Sequence, residues 1–328
     1  MNENSQQPSE IKPASWERSV LEKLAFDALT EQRLSRRWRV GLGIAWLLLL
    51  FLLLFAILGW VGGKRDGSSL EKHTALVELK GVISSESKAS ADKVIGALQH
   101  AFKDKNTLGV VLRINSPGGS PVQAGYINDE IKRLRAKHKD IPLYVVVQDI
   151  CASGGYYVAA AADKIYVDKA SIIGSIGVLM DGFGFTGAME KLGVERRLVT
   201  AGENKGFLDP FSAVNPEQQR YAKQMVDEIH QQFIKVVKDG RGKRLKETPE
   251  MFSGLVWSGE KSVANGLADG FGGLDYVARD IIKAEQIVDF TEEDSFSETL
   301  ARRLGTTAAD SFWNNLFSGT VVGRHSFR

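Results

Sequence analysis

The sequence predicts an α/β fold with a largely parallel sheet, carried behind an N-terminal transmembrane helix. Three observations predict it. Short β-branched runs alternate with helix-period stretches from His73 onward. One run, Val40 to Gly63, holds 24 residues without a charge. The rest is ordinary for a globular chain, with 43% hydrophobic and 25% charged residues in 328.

The elements are expected in this order. Residues 1–39 form a polar tail, expected on the cytoplasmic side, where Trp16, Val20, Leu21, Leu24 and Leu34 make a sparse apolar stripe. A solvated tail and a partner-binding or membrane-surface helix serve that stripe equally well. Residues 40–63 form the anchor, about 36 Å long as a helix against a hydrocarbon core of about 30 Å. Trp46 and Trp60 lie toward its ends, where interfacial indoles are favoured. A cleaved signal peptide would have a shorter apolar core nearer the terminus. Arg33, Arg36, Arg37 and Arg39 outnumber Lys64 and Arg65 across the span. That excess favours a cytoplasmic N-terminus and an exported body. Residues 64–72 (KRDGSSLEK) read as a linker, 73–290 as the body, and 291–328 as a tail with Phe312, Trp313, Leu316 and Phe317 for docking.

Within the body, strands are expected at Thr74–Leu79, Leu108–Ile114, Pro142–Val147, Lys164–Val167, Ile176–Leu179 and Arg197–Thr200. Helices are expected at Ala89–Phe102, Gln123–Lys137, Ser153–Ala162 and Pro216–Arg241, the last opened by Asn215 before Pro216.

Several function classes drop out early. A net charge of +2 gives no basic excess for nucleic acid. A single cysteine, Cys151, rules out an intrachain disulfide and a cysteine-built zinc site. No HExxH or P-loop occurs and no metal-ligand cluster stands out, so the expected metal and cofactor complement is none.

Three segments could carry chemistry. Asp149 to Val158 (DICASGGYYV) ends a strand and starts a helix, with Ser153 at the helix N-terminus. Free N–H groups there favour developing negative charge, although a plain N-cap role fits the same residue. Asn115 to Ser120 (NSPGGS) is a strand-end turn whose N–H groups could cradle an oxyanion, or simply turn the chain. Ala201 to Phe207 (AGENKGF) puts Lys205 in a Gly-flanked loop, where a lysine is normally just solvated. None of the five histidines sits in a Gly-rich strand-end loop that would present a base, so a Ser-His-Asp triad is poorly supported.

Together these segments resemble the signal peptide peptidase A family, bacterial membrane-anchored Ser-Lys peptidases. The matching residues are Asn115–Gly119, Ala152–Tyr156, Ala161–Ile165, Gly174–Val178, Asn204–Gly206, Val256–Gly259 and Gly266–Asp269. The likeness runs from about residue 73 to 285, with one catalytic unit, as in the short form of the family. It implies a ClpP/crotonase-like superhelical α/β fold. It implies Ser153 as nucleophile, Lys205 as general base 52 positions later, and Ser175 as the serine that orients the lysine. It implies an oxyanion region at Gly118, Gly119 and Gly154, with Tyr156 and Tyr157 packing the helix. A lysine acts as a base only where burial disfavours its ammonium. Cys151 departs mildly from the family pattern and is expected to be buried and inert. The resemblance also implies a homo-oligomer, an octamer, with each dyad shared between neighbouring protomers. Its substrates would be apolar remnant signal peptides left in the membrane after leader cleavage. The competing readings are a crotonase-type acyl-CoA enzyme and a catalytically silent membrane scaffold.

Overall fold

The computed structural model describes Lys23, residues 38–39, residues 41–53 and residues 71–292. The chain separates into two units, Met1–Asp66 and Gly67–Arg328. In the first, residues 41–53 are helical and their side chains are exposed, Leu47 and Phe51 among them. The remainder of the expected span, residues 40 and 54–63, lies outside the described residues. Among the described residues no helix is long and apolar enough to cross a membrane. Most of the N-terminal tail, most of the linker and the C-terminal stretch 293–328 also lie outside the described residues.

The second unit is built on an eight-stranded sheet. Its strands are β1 (His73–Lys80), β2 (Thr107–Ser116), β3 (Leu143–Ala152), β4 (Lys164–Val167), β5 (Ile172–Gly174), β6 (Val256–Ser258), β7 (Gly270–Phe271) and β8 (Ile287–Asp289). The main path runs β6-β5-β3-β2-β1-β8, with β4 and β7 branching from β3. All pairings are parallel except β5 with β6.

Side-chain alternation explains why the central strands read as continuous apolar runs. Ala75, Val77 and Leu79 of β1, Val110, Leu112 and Ile114 of β2, and Leu143, Val145 and Val147 of β3 share one buried cluster. Leu76, Val111 and Val146, one step out of phase, join a second. Successive strand residues point to opposite faces, and here both faces are covered. The helices do the covering. Helix α1 (Ala91–Lys103) buries Val94, Ala97, Leu98, Ala101 and Phe102 at three- and four-residue spacing. Helix α2 (Pro121–Lys137) starts on Ser120, whose side chain accepts the Gln123 N–H, with Pro121 in the first turn. Helix α3 (Gly154–Ala159) follows β3 directly.

Strand β3 changes partner along its length. Tyr144–Val146 pair with β4 and Ile150–Ala152 with β5. On its β2 side, Ile114 faces Val147 but Ser116 faces Cys151, so β3 carries two extra residues between those pairs. An irregularity of this kind re-aims the strand end. The Asn115 side-chain amide donates to Asp149 across it at 2.8 Å.

Two expected strands are corrected. Residues 176–179 and 197–200 are not strands. Ile176 packs into the core as irregular chain just past β5, whereas residues 197–200 lie on an arm, residues 179–221, in which no residue is buried. The β-branched patterns there had no sheet edge to join. The strand that does stand next to β3 is β5, whose Ile172-Ile173-Gly174 is too short to announce itself. The arm contains helix α4 (Thr186–Leu192) and leads into α5 (Pro216–Arg241). Asn215 caps α5 by accepting the Glu217 and Gln218 N–H groups. This 26-residue helix buries only Ala222, Phe233, Val237 and Arg241, so its first turns also stand clear. Short helices α6 (Gly259–Ala264) and α7 (Leu274–Tyr276) complete the unit.

Candidate active site

The site is assembled where β2, β3 and β5 end. β3 delivers Ser153 to the mouth of α3. Ser153 has φ 51° and ψ −124°, a strained conformation for a residue with a Cβ. Its N–H donates to the Gly174 carbonyl at 2.8 Å. Its hydroxyl does not cap α3 and makes no hydrogen bond among the described residues. A serine that only caps a helix would give that oxygen to the first turn. Here the oxygen is left uncommitted.

Ser175 follows Gly174 and so begins one residue beyond the acceptor of the Ser153 N–H. It shares the unusual φ of 51°. Its N–H donates to Leu255 O at 2.8 Å, and Gly177 N–H donates back to Ser175 O at 2.9 Å. The structure therefore brings Ser153 and Ser175 together through the Gly174 peptide. Gly174 itself is walled in: a Cβ there would lie 2.9 Å from the Trp257 ring.

The Pro117-Gly118-Gly119 turn lies against the Ser153–Gly154 segment. A Cβ on Gly118 would come within 2.7 Å of both Gly154 N and Ser153 Cβ. Gly118 and Gly119 differ in what their N–H groups already do. Gly118 already donates its N–H to the Ser116 hydroxyl at 3.1 Å, inside the protein. Its contribution is the absence of a side chain, at φ 103°. Gly119 is different. It forms an isolated parallel bridge with Ile83 made by its neighbours: Ile83 N–H donates to Gly118 O, and Ser120 N–H donates to Ile83 O, both at 2.8 Å. The Gly119 N–H takes no part in that bridge. A trans peptide is planar, so fixing the Gly118 carbonyl on Ile83 turns the Gly119 N–H the opposite way. On the far side lies Gly154, where a Cβ would stand 3.3 Å from Gly119 N. Gly154 opens α3, so its own N–H has no intrahelical acceptor. Two N–H donors from separate segments thus flank the Ser153 hydroxyl segment.

Beneath the site the packing is dry. Cys151 is fully buried, and burial pushes its thiol well above the ordinary range, as expected for an inert packing residue. Tyr156 is also fully buried, and burial raises its phenol. Its hydroxyl donates to Leu267 O at 2.7 Å. Arg241 lies alongside, 1% exposed. It donates through Nε to Gly266 O and through Nη1 to Asp269 Oδ2. The same Asp269 oxygen accepts the Ile165 N–H, and Arg244 reaches Oδ1. Sequence reasoning picked out the 266–269 run without a role for it. A charged residue closing a long helix just before Gly242 was the available signal for Arg241.

Lys205 lies elsewhere. It occupies an exposed turn of the arm, and its N–H donates to Gly202 O at 3.1 Å. Its side chain makes no hydrogen bond or ion pair among the described residues of this single chain. The arm is ordered by its own contacts. Phe185 stacks on Phe211 at 5.3 Å, Phe207 meets Tyr221 edge-on at 5.8 Å, and Arg196 pairs with Asp209.

Residues 135–288 match the model of peptidase family S49, which takes in Ser153, Ser175 and Lys205. The Gly118–Gly119 turn precedes that match. Among curated relatives, a Brucella melitensis chain named Na(+)/H(+) antiporter NhaA is 42% identical over 215 residues, 64% of this chain but 29% of that one. An Enterococcus faecium chain, provisionally named signal peptide peptidase SppA, is 32% identical over 194 residues, 59% of this chain and 56% of that one. Protease 4 of Haemophilus influenzae is 30% identical over 230 residues, 68% of this chain and 36% of that one. The chain thus spans from under a third to somewhat over half the length of these relatives. The family match takes in β3, β5, the arm and α5, and over it the chain is similar to peptidases of family S49 and of the SppA type.

Proposed function

We propose that this chain is a serine endopeptidase working through a Ser153–Lys205 dyad. The observation that carries the reading is the uncommitted hydroxyl of Ser153, held at φ 51° beside the Gly119 and Gly154 N–H groups. A neutral Lys205 amine takes the hydroxyl proton as Ser153 Oγ attacks a peptide carbonyl carbon. The two N–H groups receive the oxyanion of the tetrahedral adduct. Collapse breaks the C–N bond, and the lysine ammonium returns its proton to the leaving amine. Water, deprotonated by the same lysine, then cleaves the acyl ester. Ser175 orients the amine.

The dyad forms between protomers of a homo-oligomer, an octamer. Lys205 sits on an arm with no buried residue and with Leu179, Phe183, Leu192, Val199 and Val214 each at least 70% exposed. A second copy covering that arm takes the amine out of water, which is what lets a lysine act as a base at neutral pH. The substrates are apolar remnant signal peptides, reached from a membrane to which residues 40–63 anchor the chain at a bacterial inner membrane, N-terminus cytoplasmic and peptidase unit exported. The apolar helical stretch 41–53 and the name of the Enterococcus faecium relative support this part of the reading.

The test uses the full chain in detergent with a fluorogenic apolar peptide. Ser153→Ala and Lys205→Ala should each be inactive, and Lys205→Arg as well, because Arg stays protonated. Co-expressing Ser153→Ala with Lys205→Ala should restore part of the rate, since each variant supplies the group the other lacks. Wild-type turnover by Ser153→Ala would reject the nucleophile. Failure of the mixed pair to recover any rate would reject a dyad shared between protomers.

A further inference from the structure

We propose that Ser116 is a positioning residue for the oxyanion donors: its buried hydroxyl, gripped between Gly81 and Gly118, sets where the Gly119 N–H points. The proposal rests on the peptidase reading above and adds a residue which that reading does not use.

Ser116 ends β2 and is completely buried. Its Oγ donates to the Gly81 carbonyl at 2.6 Å and accepts the Gly118 N–H at 3.1 Å. Gly81 is the first residue after β1, and its own N–H donates to Asn115 O at 2.9 Å. The hydroxyl therefore ties the end of one strand to the turn that leaves the next. It also lies under the nucleophile helix. A Cβ on Gly155 would stand 3.1 Å from Ser116 O and 3.5 Å from Ser116 Cβ.

The geometry gives the hydroxyl leverage on the donor. Two peptide planes meet at Gly118. The first ends in the Gly118 N–H and is held by Ser116 Oγ. The second holds the Gly118 carbonyl and the Gly119 N–H, and is held at the carbonyl by Ile83. Gly118, at φ 103°, has no Cβ to resist rotation between them. With both planes held, the Gly119 N–H has one direction. With the first released, the second can swing on its single remaining hydrogen bond. An oxyanion donor acts by being aimed before the reaction, so a swinging donor loses rate and leaves ground-state binding alone. Ser116 itself touches neither the peptide nor the nucleophile oxygen in this scheme; it acts through Gly118.

The experiment compares the full wild-type chain with Ser116→Ala and Ser116→Cys on the fluorogenic apolar peptide. Two inhibitors of the same peptide sequence are measured beside it: the C-terminal aldehyde, which forms a tetrahedral adduct with a serine, and the corresponding alcohol, which cannot. In Ser116→Ala, kcat should fall about 10–100-fold, below the 10²–10³ typical for loss of a donor itself. KM should stay within about twofold, since the interaction lost is made in the transition state. Aldehyde affinity should fall with kcat while alcohol affinity holds. Ser116→Cys, with a weaker donor and acceptor at the same place, should fall between. The cysteine variant carries the same comparison if the alanine variant does not fold. Unchanged kcat and aldehyde affinity would overturn the proposal, as would equal weakening of aldehyde and alcohol. A wild-type chain that cleaves nothing, or a Ser153→Ala chain that still cleaves, would instead sink the peptidase reading beneath it.

Discussion

Two serines in this chain, Ser153 and Ser175, share a φ of 51° and stand on either side of one peptide. Backbone held in so sparsely populated a region costs about 1–3 kcal/mol per residue and persists only where the surroundings over-determine it. Here the Gly174 carbonyl, Leu255 and the Trp257 ring do so. The strain buys an oxygen that points away from its own helix. Gly118 serves the same end by what it lacks. In Gly118→Ala the new methyl would lie 2.7 Å from Gly154 N and from Ser153 Cβ, at a φ no alanine favours. The turn would then have to move away from Ser153. Peptidase activity should drop by more than about 100-fold, the scale of losing an oxyanion donor. Far-UV circular dichroism should stay that of the wild type. Turnover near wild type would mean that the turn does not set the site.

At the scale of elements, β3 with α3 forms the platform, and α5 is locked beneath it by Arg241 and Asp269. Burial alone would raise the Asp269 carboxyl. The Arg241 hydrogen bond and charge, the Ile165 N–H and Arg244 outweigh it and hold the carboxyl below its ordinary value. A carboxyl whose pKa is lower folded than unfolded stabilises the fold above the unfolded value, about 3.9. That contribution is lost as pH falls through the folded value. Asp269→Asn leaves the buried Arg241 without its counter-charge, at a cost on the order of 3 kcal/mol. Thermal melts should show that deficit at pH 7. It should start to shrink as the pH is taken below about 4, where the unfolded carboxyl takes up a proton, and vanish below the lower folded value, where the wild type loses the same charge. A deficit independent of pH would show that Asp269 acts only through shape. Much of this scale was legible in the order of residues. Strands β1 and β2 and helices α1, α2 and α5 appear within a few residues of expectation, because each has a full run of buried positions at its own period or an Asn-Pro or Ser-Pro start. The short strands β5, β6 and β7 were not legible. Two or three residues carry no period, and what makes them strands is the neighbour they lie against.

At the scale of the whole molecule, the arm from residue 179 to 221 is the feature a single chain does not explain. Its β-branched runs look like strands in sequence because they are apolar, yet no sheet edge receives them. Val199, 94% exposed, has nothing to lose in a monomer when made charged. In Val199→Asp the melting of an isolated chain should be unchanged. If a second copy covers the arm, sedimentation should show a smaller particle, and activity should fall at least about tenfold, as expected when a charge is buried without a partner. Wild-type assembly together with wild-type activity would remove the arm from the interface.

The sequence by itself determined the parallel α/β framework and the long capped helix, because hydrophobic period and capping residues are properties of neighbours along the chain; it named Ser153, Ser175 and Lys205 only through a family resemblance. Only the tertiary structure decided which N–H groups of the Gly118–Gly119 turn are already bonded within the protein, and that Lys205 stands on an exposed arm. A hydrogen bond such as Ser116 to Gly118 and Gly81, or Ile83 to Gly118, joins segments whose meeting is set by sheet register and packing, and no local pattern records which donor such a meeting consumes.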